Sequence, residues 1–385
     1  MYLAPKDRVY LSLFTGPNGT GAGLQYAGWH AADCVEFDDA ACDTIRANFG
    51  NDVNILNMDI RKQMVEHLSR QYYPLAVYTW PCVHYSNIGA IHGVQTGEDL
   101  YLHAVRNHAL LWPEMALVEN VLGMREKFPV VMEILKKYKG YYKTGFIVYG
   151  HDFTLQQKAR FFMLMHRQPF RFPPIEYFPL HYDIPIPGYI PARPGRMLRD
   201  YLDGPNGDFD DQPYFEKRVN GEYQRLPVIY YADQTTPLPL QTNYKRDRSV
   251  ALLYDERMKS KYRPLTVEEL LRLHGFPEHI DEQGNRRPYT ICGNKNARYK
   301  QVVDSVFPPV AYVLGVLINM YFDHIQDLAP PPEEGEYVEI QSVDPRRRKG
   351  NVPEAFSIPP ACMPVASPEF ASHKSKDAHD LAIRA

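Results

Sequence analysis

In "LAVYTWPCVHYSN" a short apolar run ends on Pro81 and Cys82, and in "MALVENV" another ends on Glu119 and Asn120. A lone cysteine is most often a small buried hydrophobe. At the carboxyl end of a strand in an open α/β sheet, where ligands bind, Cys82 becomes a candidate nucleophile. Glu119 ends the next run and can face it across a cleft. A carboxyl group in a partly dry pocket has a raised pKa and can donate a proton. A thiolate and a carboxylic acid together suit nucleophilic addition to an electron-poor ring.

The elements that must position this pair are legible upstream and downstream. Over the first 166 residues, strand-like runs such as "RVYLSLF", "HAADCVEF" and "GFIVYG" alternate with longer mixed segments such as "DDAACDTIRANF". That alternation predicts a parallel sheet with helices on both faces. From about residue 169, "QPFRFPPIEYFPLHYDIPIPGYIPARPGR" is rich in Pro and aromatics, and helical periodicity is lost until "TVEELLRLHGF". The domain reading is therefore 1–168 for the first domain and 169–262 for an irregular, mainly β second domain. Residues 263–327 return to the first, with "VAYVLGVLINMYFDHI" as a buried helix, and 328–385 form a disordered, Pro-rich and charged tail.

The totals narrow the setting. No window approaches eighteen uninterrupted apolar residues, so no membrane helix is expected. The start, "MYLAPKDRVYLSLF", does not read as a signal peptide. Five scattered cysteines without a Cys-x-x-Cys argue against a disulfide framework or a metal site and for a reducing cytoplasm. A net charge of -3 gives no global nucleic-acid signature, so any DNA site needs a local basic patch.

In "LSLFTGPNGTGAGLQYAGW", Gly16, Gly19, Gly21 and Gly23 follow a strand and precede a helical segment, where glycine permits sharp turns and close approach of a ligand. Glu36 ends the second run, where a carboxylate can accept from a ribose, and Asp59 ends the third, where one can accept from an adenine amino group. In strand order these point to an adenosine-containing ligand, a dinucleotide among them. The Walker phosphate loop with its Lys is absent, which disfavours ATP.

These segments together resemble the DNA cytosine carbon-5 methyltransferases. The Gly-rich turn resembles the family's FxGxGG motif, and "PC" with Ser86 its Pro-Cys-x-x-[FY]-[ST] motif. "ENV" is its Glu-Asn-Val motif, and "LTVEELLRLHGFPEHI" and "YKQVVDSVFPPVAYVLG" resemble its ninth and tenth. The order is the family's, over residues 8–318. The resemblance implies an α/β fold: a Rossmann-like, S-adenosylmethionine-dependent methyltransferase domain with a smaller target-recognition domain. It implies that Phe14 stacks on the cofactor's adenine, Gly16 and Gly19 line it, Glu36 holds the ribose and Asp59 the adenine. Phe37 and Ile60 lie beside them, Pro81 shapes the nucleophile's loop, and Asp304 and Ser305 complete the pocket. Cys82 would add to carbon 6 of a flipped cytosine while Glu119 engages ring nitrogen 3. The Gly-rich loop "SNIGAIHGVQTGED" would close over the base.

In "FTLQQKARFF", read against the family's Gln-x-Arg-x-Arg, Lys158 replaces the middle Arg if Gln156 aligns, and Arg160 is the candidate to hold the cytosine carbonyl. Three departures stand out: Val83 after the Pro-Cys, His84 next to it, and Val303-Asp304 where the family has Gly-Asn. Asp304 places a negative charge near the transferred group and so opens the question of an altered one-carbon donor. Ser86 and His84 are candidates to touch DNA. Residues 244–263 carry seven Lys or Arg against three Asp or Glu, with Lys245, Arg246 and Arg248 as candidate contacts. The expected partner is double-stranded DNA, met by a monomer in the cytoplasm of a bacterium or phage-infected host, with a companion restriction endonuclease allowed. RNA as substrate and a catalytically silent DNA binder are the competing readings.

Overall fold

The computed structural model describes residues 4, 7–81, 100–175, 178–203, 218–219, 222–223, 229–238, 252–259, 261–280, 283–323 and 335–340. Cys82, His84, Ser86, the rest of the 86–99 loop, Lys245, Arg246 and Arg248 lie outside them.

One eight-stranded sheet organises the large part. Its strands are β1 (Val9–Leu13), β2 (His30–Glu36), β3 (Asn54–Asn57), β4 (Leu75–Tyr78), β5 (Met115–Val121), β6 (Tyr142–Tyr149), β7 (Ala159–His166) and β15 (Tyr337–Ile340). Their spatial order is β15-β6-β7-β5-β4-β1-β2-β3. The order reverses between β1 and β4, which opens a crevice at the carboxyl ends of those two strands. Every residue of β1 and β4 is buried, as expected for strands covered on both faces. The helices that cover them are α1 (Gly19–Leu24), α2 (Asp39–Phe49), α3 (Tyr101–Leu111), α4 (Leu122–Lys127) and α5 (Pro129–Lys137), with the C-terminal pair described below.

The sheet departs from the expected all-parallel arrangement at β7, which runs antiparallel to both β5 and β6. Only residues 150–158 separate β6 from β7, too few for the crossover that a parallel pair needs. The turn has a consequence: it puts the start of β7, and hence Arg160, opposite Val121 at the end of β5. A second departure lies in the segment expected to be a disordered tail. Tyr337–Ile340 pairs in parallel with Lys143–Phe146 as the edge strand. Alternation of Tyr, Val, Glu and Ile suits a half-covered strand. Glu339 holds it, accepting from Arg125 Nε at 2.9 Å and from Tyr337 Oη at 2.6 Å.

The C-terminal return is built from α7 (Val267–His274), α8 (Lys295–Asp304) and α9 (Pro308–Phe322), after the single turn α6 (Phe178–His181). A capping box starts α7: Glu269 N donates to Thr266 Oγ1 and Thr266 N to Glu269 Oε2, at 3.1 and 2.8 Å. Gly275, at φ +71°, ends it. All fifteen residues of α9 are buried. The segment Lys295–Phe322 is long and apolar enough to cross a membrane by composition, but 94% of its most apolar window is buried inside the protein. It packs on α1 through glycine. A Cβ on Gly23 would overlap the Pro308 carbonyl, and one on Gly315 would press on Ala27. Asn319 stitches the pair by accepting from Trp29 Nε1 and donating to the Ala27 carbonyl, both at 2.9 Å.

Between these regions the described residues form short strands and single helical turns. β8 (Arg218–Val219) pairs with β9 (Glu222–Tyr223); β10 (Ile229–Tyr230), β11 (Leu252–Tyr254) and β12 (Tyr262–Arg263) form a three-stranded sheet; β13 (His279–Ile280) pairs with β14 (Arg286–Arg287).

Candidate active site

Glu119 and Asn120 emerge where β4, β5 and β7 converge. Tyr78, the last residue of β4, lies opposite Val118, so Glu119 and Asn120 extend β5 past the end of β4. Asn120 Nδ2 donates to the Trp80 carbonyl at 3.1 Å, which fixes the chain two residues before Cys82. The carboxylate of Glu119 is 8% exposed as a residue and pairs with Arg160, Nε to Oε1 at 3.0 Å, both side chains nearly covered. Burial pushes the Glu119 pKa up, and nearby Asp304 adds to that, while Arg160 and Lys158 oppose it; the net direction is upward. Glu119 therefore holds a proton more readily than an exposed glutamate.

Lys158 lies two residues before Arg160. Its Nζ donates to the Val303 carbonyl in the last turn of α8 and lies 3.4 Å from His274 Nε2 and 5.8 Å from the centre of the Phe307 ring. His274 is fully buried, its Nδ1 is 3.1 Å from the Leu270 carbonyl, and its pKa is driven well below the ordinary value, first by burial and then by Lys158. A neutral ring that donates through Nδ1 turns the Nε2 lone pair toward the ammonium. Lys158 thus joins β7, α7 and α8 at one point. Gln156, also buried, donates from Nε2 to the Leu273 carbonyl at 3.1 Å.

Asp304 ends α8, with Lys300 Nζ 3.7 Å from its Oδ2 one turn back. Ser305 follows as the C-cap, its Oγ donating to the Val302 or Val306 carbonyl.

On the other side of the crevice, Glu36 gathers the β1 turn. Its carboxylate accepts from Gly16 N at 2.7 Å, Phe37 N at 2.8 Å and Asp38 N at 2.9 Å. Phe14 has φ +62°, a backbone conformation that a bulky residue rarely adopts. Thr79 Oγ1 donates to its carbonyl at 2.9 Å. Gly16 has φ +57° and open space where a Cβ would sit. Phe37 is 71% exposed, an unusual position for a large apolar ring. Asp59 is taken up by Arg61, whose backbone N and Nε donate to it at 2.9 Å, and these contacts lower its pKa to about 2. Ile60 is buried, its carbonyl accepting from Arg106 at 3.2 Å. Pro81 is exposed at the end of the described segment.

The glycines divide by purpose, which the sequence did not reveal. Gly16 is open, whereas added Cβ atoms at Gly19 and Gly21 would strike Ser305–Val306 and the Tyr10–Asn18 pair. Gly19 is small because the residues just after α8 pack on it, and Gly21 because Tyr10 of β1 and the Asn18 cap do. Sequence reasoning also missed His274 and the tether made by Asn120. Nothing local marks His274, since Lys158 is 116 residues away. Asn120 stood in the quoted "ENV", and its position beside Glu119 was the available signal.

Among the described basic residues of 244–263, Arg263 turns inward and Arg257, itself exposed, reaches to a buried carboxylate. Arg263, fully buried, donates from Nε to Asp255 at 2.6 Å and from Nη1 and Nη2 to Glu269 at 2.7 and 2.8 Å; Arg257 Nε donates to Asp255 at 2.8 Å. Burial pushes the Asp255 carboxyl up, but these hydrogen bonds outweigh it and hold its pKa well below the carboxylate range.

The family description "C-5 cytosine-specific DNA methylase" matches residues 9–319. The chain belongs to that family. Such enzymes use S-adenosylmethionine, and this protein is a DNA (cytosine-5-)-methyltransferase with the family's Rossmann-like fold. It is 24% identical over 341 residues to the Type II methyltransferase M1.HphI of Haemophilus parahaemolyticus, covering 80% of this chain and 85% of that one. It is 23% identical over 332 residues to the Type II methyltransferase M.NgoPII of Neisseria gonorrhoeae, covering 80% and 94%. Among solved structures, the Dnmt2 methyltransferase of S. pombe superposes with a TM-score of 0.59 at 17% identity, over 81% of this chain and 98% of that one. At that identity the likeness concerns the fold alone.

The crevice of this methyltransferase fits S-adenosylmethionine in its donor set. The open Gly16, the Glu36 carboxylate and the exposed Phe37 ring offer close backbone approach, a hydroxyl acceptor and a stacking face.

Proposed function

We propose that this methyltransferase acts on a cytosine turned out of duplex DNA of defined sequence, with Cys82 as the nucleophile. One observation carries the reading. A buried glutamate with a raised pKa is clamped by Arg160, beside an asparagine that fixes the backbone leading into Pro81 and Cys82. A resident acid so placed has a use if a ring nitrogen must be engaged while a thiolate adds.

The steps balance as follows. The Cys82 thiolate bonds to carbon 6, and the ring's π electrons move toward nitrogen 3, where protonated Glu119 donates. Arg160 stabilises the carboxylate that results and is placed to hold the exocyclic oxygen. S-Adenosylmethionine supplies an electrophilic methyl group. Carbon 5 takes it, the donor's sulfonium sulfur being left as a neutral thioether, and nitrogen 3 returns its proton to Glu119; loss of the carbon-5 proton to a base then expels the thiolate and restores the double bond. Because a stacked cytosine cannot be reached, the base must leave the helix. Phe14, Gly16, Gly19, Glu36, Phe37, Asp59, Ile60, Pro81 and Ser305 form the cofactor side in this reading. Asp59 must exchange Arg61 for the adenine amino group. Asp304 is partly offset by Lys300, which favours the ordinary methyl donor.

Residues 1–168 and 263–327 are the catalytic part and 169–262 the target-recognition part. The chain works as a monomer on DNA, and a companion endonuclease sharing its sequence is compatible with it. Nucleoside mass spectrometry of DNA from cells expressing the chain, beside Cys82→Ser, tests this. Methylcytosine with wild type alone is expected. A heavier carbon-5 adduct would move the question to Asp304 and the donor, and modification confined to RNA would overturn the DNA reading.

A further inference from the structure

We propose that the cleft between His151 and the Arg193–Arg196 turn is a phosphodiester subsite that grips the DNA backbone beside the flipped base, an inference that rests on the DNA reading above. The cleft encloses about 400 Å³, ample for a phosphate and its sugar.

Its floor belongs to the catalytic end of the sheet. His151 lies in the turn Gly150–Asp152 that follows β6. Gly150 N donates to the Lys158 carbonyl at 2.5 Å, and Val148 pairs with Arg160. The walls are fixed to the same place. Leu238 N donates to the Leu155 carbonyl at 3.1 Å and Gln157 N to the Leu238 carbonyl at 2.9 Å, so Thr235 runs in beside the residues that lead to Lys158. Opposite, Ala192 N donates to the Phe153 carbonyl at 2.8 Å, and Arg196 N to the Arg193 carbonyl at 2.9 Å closes a tight turn. Gly195, at φ +83°, leaves open space at the lip.

The cleft has Arg193 and Arg196 at its lip and Asp152 in its lining, and each arginine is paired to an exchangeable carboxylate. Arg193 is 3.5 Å from Asp183, a carboxylate that is 98% exposed, and Arg196 is 3.2 Å from Asp200. Exposed pairs of this kind are weak. A phosphodiester can replace Asp183, since guanidinium binds phosphate through paired N–H donors. Charge bookkeeping points the same way. The chain carries -3 overall, and Arg257 and Arg263 of the basic run are spent on internal carboxylates. Arg193 and Arg196 are paired with exposed carboxylates, and on exchanging them for phosphate they put two guanidinium groups at the end of the sheet that holds Glu119. Contacts of this type set position and carry no sequence information.

The test is the salt dependence of binding of the full chain to random-sequence duplex DNA, in wild type, Arg193→Gln/Arg196→Gln and Arg193→Lys/Arg196→Lys. The Gln pair should bind about tenfold more weakly at low salt, with a log–log salt slope smaller by about 1 to 2. Its cofactor affinity and melting temperature should match wild type, and the Lys pair should keep the wild-type slope. If the Gln pair melts early, Arg193→Gln alone carries the test, with a slope loss of about 1. Unchanged affinity and slope in a variant that melts like wild type would overturn the subsite, as would a loss seen with duplex RNA and not with DNA. Failure of the parent reading shows separately, as absence of methylcytosine with the wild-type chain.

Discussion

The two sides of the crevice are held by different means. The cofactor side is built from neighbours in sequence order: Glu36 at the end of β2 collects three backbone N–H groups from the adjacent turns. The base side is assembled from distant segments: Glu119 on β5, Arg160 and Lys158 at the start of β7, His274 on α7 and the Val303 carbonyl on α8. Backbone donors hold one side with no buried cation. The other rests on two buried or half-buried cations facing a carboxyl group that burial tends to protonate. The cofactor side should therefore tolerate side-chain changes better than the base side, where each loss leaves a charge uncompensated.

Glu119→Gln should break the contrast most sharply. Removing a positioned proton donor costs about 10²- to 10⁴-fold in rate, or about 3–5.5 kcal/mol. Single-turnover methyl transfer should fall by that range while cofactor affinity stays within a few-fold. The pH profile gives the sign. A raised carboxyl pKa means activity is fullest when Glu119 is protonated and declines as pH rises through that pKa. Glutamine does not titrate, so the variant should lose that limb. A limb that survives belongs to another group.

Lys158→Met comes next. It strands His274 Nε2 and the Val303 carbonyl, and a hydrogen bond to a charged group is worth about 1.5–3 kcal/mol. The expected loss in transfer rate is about 10- to 100-fold, accompanied by weaker cofactor binding because Val303 lies two residues before Ser305. Lys158→Arg should restore much of both. If the rate falls with cofactor affinity untouched, Lys158 serves the base alone.

How far this contrast could be read beforehand follows from sequence distance. The strand ends bearing Glu119 and Glu36, and the one leading toward Asp59, were legible because β-runs and their order are local patterns, and five motifs in family order supplied the rest, while Cys82 lies outside the described residues. The antiparallel β7 was not, although the short link after "GFIVYG" contained the reason. The strand at 337–340 hid in a Pro-rich, charged context, because its partner β6 lies nearly two hundred residues earlier. The glycines of the first turn were read together as permitting sharp turns and a ligand's approach. Only packing, of Gly19 against Ser305–Val306 and of Gly23 against α9, shows that these two are small for another cause.

Gly23→Ala sharpens that last distinction. The added methyl meets the Pro308 carbonyl, a backbone atom that cannot rotate away. Overpacking of this kind costs about 1–3 kcal/mol. Urea melts should show it as a lower midpoint at constant slope. Gly16→Ala, with φ +57° but open space, should disturb the turn and the cofactor more than the fold.

The smallest expected effect lies farthest from the crevice, at the edge strand. Glu339 accepts from Arg125 and Tyr337, and α4, which carries Arg125, begins right after Val121. The pair could brace the catalytic strand or merely fasten the chain. Burial pushes the Glu339 carboxyl up, but the Arg125 and Tyr337 hydrogen bonds lower it overall, so its contribution is present above the unfolded carboxylate pKa and is lost as pH falls through the lowered one. A double-mutant cycle of Arg125→Ala and Glu339→Ala should give a coupling of about 1 kcal/mol in stability. The rate of transfer should be unchanged in all three variants. A coupling in rate as well would mean that the base side extends through α4 to the sheet edge, and that its long-range assembly is wider than the five groups around Glu119.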